Sequence, residues 1–275
     1  GAFEPWKNLS PFTSIIEAPA GWFLPYTDPK MQASAQALID VGKELSIWAR
    51  TIGEFNQWAQ ESGYPVNRMT FAKAPFDTIG DTLRGTKGII RDMFRRPEKL
   101  LEAMDVVADF TIKQTVAAAN ATKAHTAIFP LHKGADGFMS PKQFEKFYWP
   151  SLKKVILGLI NEGIRAELFA EGTFDSRLET VNEFPKGAVS WIFDRTDMAA
   201  AKRILGTRCC ISGNVPSSLM VTGNPKEVKE YCRKLIEVCA PGGGFILAGG
   251  AHVDQGNPDN LRAMMEAAKE YGRYS

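Results

Sequence analysis

Residues 164–173, IRAELFAEGT, carry an apolar run onto the carboxylate of Glu171 and turn at once on Gly172. A carboxylate losing hydration at the end of a buried strand must pair with a cation, bind a metal, or take up a proton through a raised pKa. Each outcome makes it chemically useful. The same order of residues recurs along the chain: an apolar run, a polar or ionisable residue, a turn, then a helical pattern. Residues 124–131 end at His132 with Lys133 beside it, 189–193 at Asp194, 209–212 near Asn214, and 244–248 at a glycine turn carrying His252. In a parallel barrel every strand opens by its C-terminal end on one face, so His132, Glu171, Asp194, Asn214 and His252 are expected to converge on one mouth.

The intervening segments supply the helices such a barrel needs. Residues 28–62 read as a helix with Asp28 as cap, Pro29 in first position, and Ala37, Val41, Leu45 and Trp48 at helical spacing; Gly63 ends it. A strand over 66–72 leads into KAPFDTIGDTLRG, read as a loop, whose Lys73, Asp77, Asp81 and Arg84 are within reach of a ligand. Asp77 and Arg84, with Lys133 and Asn214, are the candidate substrate-binding residues.

Pro97 opens a helix over 98–122, with a core stripe expected at Leu101, Met104, Val107 and Phe110. Ser140-Pro141 starts another to residue 161, burying Phe144, Phe147, Trp149 and Leu152. Further helices are expected over 175–184, from an Asp197 cap to 205, from Pro225 toward 238, and from Pro258 onward. Counting from residue 66 gives six strands alternating with helices, a parallel α/β arrangement. The expected fold is a (β/α)8 TIM-type barrel over 29–275, preceded by an arm over 1–28 rich in proline and aromatics. Eight strands close such a barrel, so one or two are expected to be absent from this chain, which opens on glycine.

Composition narrows the function. The chain has 275 residues, 44% hydrophobic and 23% charged, enough for one large domain. Its 33 basic and 31 acidic residues are interspersed, giving a net charge of +2 and no nucleic-acid footprint. No apolar run reaches the length of a membrane span. Cys209, Cys210, Cys232 and Cys239 form no C-x-x-C pair, and the adjacent first two point to opposite faces of a strand, so all four read as small hydrophobes in a reducing compartment. The expected setting is the cytoplasm and the expected ligand a small molecule.

From about Pro75 onward, HKGADGFMSPKQFEKFYWPSLKKVI, the FAEG turn, FDRTD, ISGNVPSSLMVTGNPKEVKEY and GGGFILAGGAHVDQGNPDNLRAMMEA resemble the uroporphyrinogen decarboxylase superfamily. The resemblance implies a (β/α)8 barrel with its site at the C-terminal mouth. It also implies one of two activities, decarboxylation of a four-acetate tetrapyrrole or zinc-dependent methyl transfer involving a corrinoid protein. The decarboxylases' N-terminal arginine segment is not found here, and in GGAH the place of their histidine falls on Gly250, with His252 two residues on. The methyltransferases' His-x-Cys pair is replaced by Phe169-Ala170-Glu171, and their later cysteine, near Ala251, is also missing.

A zinc site would therefore be a harder one, built on Glu171 and His252 with His132 or Asp194. Without metal, Glu171 is the general acid, Asp194 its orienting partner, and His132 a further catalytic candidate. The expectation is a methyltransferase or demethylase working with a corrinoid protein. The alternatives are a decarboxylase and a non-catalytic binding or assembly subunit. Self-association into a homo-oligomer fits an incomplete barrel.

Overall fold

The computed structural model describes residues 20–253 and 255–273, so most of the proline- and aromatic-rich arm lies outside the described residues. Two compact units divide between Val66 and Asn67. The expected 28/29 boundary lies within the first of these units. In the first unit, α1 (Pro29–Glu61) starts as its sequence dictates, with Pro29 in the first turn and the Asp28 carboxylate accepting from the Lys30 amide at 2.7 Å. Val41, Leu45 and Trp48 on this helix are exposed.

The second unit is built on six parallel strands in sequential order: β1 (Met69–Phe71), β2 (Thr126–Leu131), β3 (Arg165–Ala170), β4 (Val189–Phe193), β5 (Cys210–Val215) and β6 (Phe245–Gly249). Sequential parallel order with helical crossovers is the arrangement of a TIM-type barrel, here a partial one, with β1 and β6 as its edges. Phe71 on β1 is 62% exposed and Ile246 on β6 is 56% exposed. No helix among the described residues is long and apolar enough to cross a membrane.

Between β1 and β2 the chain forms α2 (Pro75–Thr78), a π-helical turn (Ile79–Leu83), α3 (Gly85–Arg95) and α4 (Pro97–Thr122). The expected loop over 73–85 is thus largely helical. Its glycine and polar residues conceal this because α3 starts at Gly85 with φ +67° and without a side-chain cap. On α4 the buried face is Leu100, Met104 and Ala108, and Phe110 is exposed, so the core stripe is rotated from the expected one. Small residues there let α4 lie close to α6, where even a methyl added at Gly158 would press on Ile112 at 2.6 Å.

After β2, α5 (Pro141–Gln143), a second π-helical turn (Phe144–Tyr148) and α6 (Trp149–Asn161) run on, opened by a capping box between Ser140 and Gln143. Phe144, Phe147, Trp149 and Leu152 are buried as expected. The helix expected over 175–184 is a single 3-10 turn, Asp175–Arg177, followed by turns. Asp175 does not cap it; its carboxylate accepts instead from the Asp197 amide at 2.8 Å.

Past β4, α7 (Met198–Leu205) is capped by Asp197, whose oxygen accepts from the Ala199 and Ala200 amides. Then come α8 (Ser217–Thr222), α9 (Pro225–Cys239) and α10 (Pro258–Tyr271). Gly213 on β5 has φ +126°, and a Cβ there would overlap the Phe193 carbonyl oxygen of β4. Gly213→Ala should therefore cost roughly 3 kcal/mol, through overpacking and an unfavourable backbone region. Urea unfolding of the variant measures it, and a change under about 1 kcal/mol would mean that β4 and β5 yield readily.

Candidate active site

Register, more than any loop, brings the candidate residues together. Leu131 of β2 pairs with Ala170 of β3, which pairs with Phe193 of β4. The next residues, His132, Glu171 and Asp194, therefore leave the sheet in one row. Ile192 pairs with Ser212, and Asn214 with Ala248, so the row continues through Asn214 to β6. Alternation also places them on one face. Ala127, Phe129, Leu131, Ala166, Leu168, Ala170, Val189, Trp191 and Phe193 form the buried face, so the residue following each strand falls on the opposite, more open one.

Of this row, His132 and Glu171 meet. His132 Nε2 is 3.6 Å from Glu171 Oε1, too long for a hydrogen bond but close enough for an ion pair, and both side chains are about two-fifths exposed, at 39% and 40%. On its other edge His132 Nδ1 lies 3.3 Å from Asp81 Oδ2. The imidazole is thus bracketed by two carboxylates. Asp81 is in turn gripped by Lys73 at 2.6 Å and by Lys133. Desolvation works against its charge, but the hydrogen bonds from Lys133 and Lys73 outweigh it and hold its carboxyl below the usual range.

Beneath this pair sits Asp77, fully buried at the end of α2. Its carboxylate accepts from the His132 amide at 3.1 Å, the Lys133 amide at 3.0 Å and the Tyr148 hydroxyl at 2.5 Å. Burial pushes its pKa up to about 6, against the lowering pull of Tyr148, Lys133 and His132. The same burial, followed by the nearby Asp77 charge, drives the Tyr148 hydroxyl well above its ordinary range. The desolvated carboxyl expected at Glu171 is thus found at Asp77, because Glu171 stands past the strand end, where 40% of its side chain keeps its water.

The remaining candidates buttress the row. Asp194 accepts from the Gly172 amide at 3.0 Å, directly behind Glu171, and lies 3.5 Å from Arg195. Asn214 is buried, donates to the Thr196 carbonyl at 2.8 Å and accepts from the Tyr231 hydroxyl at 3.4 Å. Lys133 is buried against Asp81 rather than open to a ligand. Arg84 is turned to Asp92, at 2.7 Å, and is not in this cluster. His252 is exposed, and its carbonyl accepts from the Ser217 hydroxyl at 3.1 Å. A cavity of about 550 Å³ opens beside the row, lined by Asp194, Arg195, Asn214 and Lys234 among others.

The donor set does not suit the zinc ion that the resemblance implies. Among the described residues no group of three or more His, Cys, Asp or Glu side chains is placed to hold one ion. The thiols offer no substitute. Cys209, Cys232 and Cys239 are buried, and burial pushes each up to about 11.

Tyr148 and the central place of Asp81 escape a reading by helical period. Both lie on π-helical turns, which break that period and often mark functional positions. The only sequence cue for Tyr148 is a tyrosine set among residues of a buried face, where its hydroxyl requires a partner.

Residues 32–271 match the family model described as uroporphyrinogen decarboxylase (URO-D). Uroporphyrinogen decarboxylase from Pseudoalteromonas translucida (strain TAC 125) is 26% identical over 200 residues, which are 67% of this chain and 52% of the relative. That from Photorhabdus laumondii subsp. laumondii is 26% identical over 239 residues, 84% of this chain and 62% of the relative. The chain spans about half the length of the curated relatives it matches. Among solved structures, a methyltransferase from Methanosarcina mazei superposes with a TM-score of 0.65 at 17% identity, over 79% of this chain and 63% of that one. At that identity the likeness speaks for the fold.

Proposed function

The chain belongs to the uroporphyrinogen decarboxylase family, and on that premise we propose that it is a methyl-transferring enzyme, a demethylase of a small methylated compound that works with a separate corrinoid protein. One observation carries this reading: a half-exposed His132–Glu171 pair, 3.6 Å apart, at the strand-end edge of the sheet. Such a pair can hand a proton to a heteroatom as the bond from that atom to a methyl carbon breaks. The bonding electrons stay on the heteroatom, and the proton from the pair neutralises it. A corrinoid bound to the partner protein would supply the acceptor for the methyl group.

Each neighbour has a place in that chemistry. Asp81 orients the imidazole through Nδ1, and the two lysines keep Asp81 charged. Asp194 fixes the turn that carries Glu171. The openness of the pair also favours this reading, because a carrier-bound group must approach from outside.

A second reading, decarboxylation, is favoured by Asp77, a buried acid whose pKa of about 6 lets it hold a proton close to neutrality. It is the activity named for the curated relatives.

Mixing the protein with reduced corrinoid proteins and a panel of methyl ethers, thioethers and amines tests the choice. The expected result is a change in the cobalt absorption spectrum that requires both donor and enzyme. Carbon dioxide release from uroporphyrinogen without any such change would favour decarboxylation. Neither signal would leave a binding subunit as the reading.

A further inference from the structure

Arg177 is a buried charge that the proton chemistry above does not use. Its side chain is 1% exposed, and its guanidinium lies 4.6 Å from the centre of the Phe144 ring. Nε donates to the Gly134 carbonyl at 3.3 Å and Nη2 to the Met139 carbonyl at 2.5 Å, while Asp136 is 3.3 Å away. Nη1 is buried without a hydrogen-bond partner. Burying a guanidinium and leaving one nitrogen unsatisfied is costly, so a residue kept there has a structural or functional reason.

The carbonyls it grips lie in the segment that follows β2 and begins with His132, whereas Arg177 itself belongs to the segment that follows β3 and begins with Glu171. Parallel links run beside it: the Asp136 amide donates to the Thr173 carbonyl at 2.8 Å, and Ser176 donates to Asp136 through both its amide and its hydroxyl. We infer that Arg177 is a positioning residue, which sets the separation of His132 and Glu171 by locking the two segments that carry them. Its planar fork suits this, since one rigid group holds two carbonyls in a fixed geometry, whereas a lysine's ammonium is a point charge on a flexible stem. The inference rests on the His132–Glu171 pairing, and its test does not require turnover.

The chain has three histidines, so their ring protons are readily told apart by NMR. Glu171→Gln in the parent should measurably shift the ring-proton resonances of His132 at fixed pH, because it removes the negative charge that lies 3.6 Å from Nε2. In an Arg177→Lys background the same change should fall to less than half of that. His125 and His252 serve as internal controls.

An effect of Glu171→Gln undiminished in Arg177→Lys would overturn the role of Arg177, even if that variant melts at a lower temperature. Should Arg177→Lys fail to fold, Asp136→Asn, nearer the surface, loosens the same joint and must also reduce the effect. If Glu171→Gln leaves His132 unmoved in the parent, it is the pairing itself that fails.

Discussion

Glu171→Gln should lower turnover by about 10²-fold or more while leaving the unfolding transition in place. Glutamine keeps the shape and reach of the side chain but cannot donate or accept the titrating proton. The fold should tolerate it, since Glu171 is 40% exposed and its ion-pair partner is His132 alone among the described residues. His132→Gln should cost a similar factor. The double variant should be little worse than either single one, because two groups serving one proton transfer are lost as a unit. The measurement is kcat in the corrinoid assay alongside a thermal melt. Turnover within a few-fold of the parent would remove Glu171 from the chemistry and leave it as an ion-paired residue at the rim.

The second large effect concerns Asp77 and appears as a dependence of stability on pH. Its carboxyl goes from an ordinary 3.8 to about 6 on folding, so the folded chain holds this proton more tightly. The stabilisation is complete below pH 3.8, declines as pH rises and the unfolded chain releases its proton first, and is gone above about pH 6. Across that interval it amounts to about 3 kcal/mol. Asp77→Asn abolishes the titration while retaining an acceptor oxygen. The stability of the parent minus that of the variant, from urea unfolding at pH 4, 5, 6 and 7, should therefore fall by about 3 kcal/mol with its midpoint between about pH 4 and 6. A difference constant with pH would show that Asp77 ionises in the native state as it does in water.

How far the fold and the site are legible in the sequence depends on how each element is stabilised. Parallel strands covered by helices leave near-continuous apolar runs, which locate β2 to β6 to within a few residues at each end. Local caps such as Asp28, Ser140 and Asp197 act within three residues, so they too are visible in the sequence. The row of His132, Glu171, Asp194 and Asn214 is legible because a polar residue closing each run shares its position in the register.

Tertiary choices are hidden. Nothing local shows that Arg84 turns to Asp92, that Lys133 lies against Asp81, or that the Asp175 carboxylate accepts from the Asp197 amide. The sequence points to the wrong carboxylate as the buried acid for the same reason: burial of Asp77 depends on Tyr148, 71 positions away.

The two π-helical turns, Ile79–Leu83 and Phe144–Tyr148, bear on inheritance. Each accommodates one more residue per turn than a regular helix, and together they present Asp81 and Tyr148 to the site. Removing a single residue from the second would restore the regular period and rotate all of α6 by about 100°. Leu152, Val155, Ile156 and Leu159 would then be swung out of the core as Tyr148 lost its place. Substitutions in these turns can be absorbed one side chain at a time, but insertions and deletions cannot. Among descendants of this chain, gaps should gather in the surface turns and spare these two five-residue stretches.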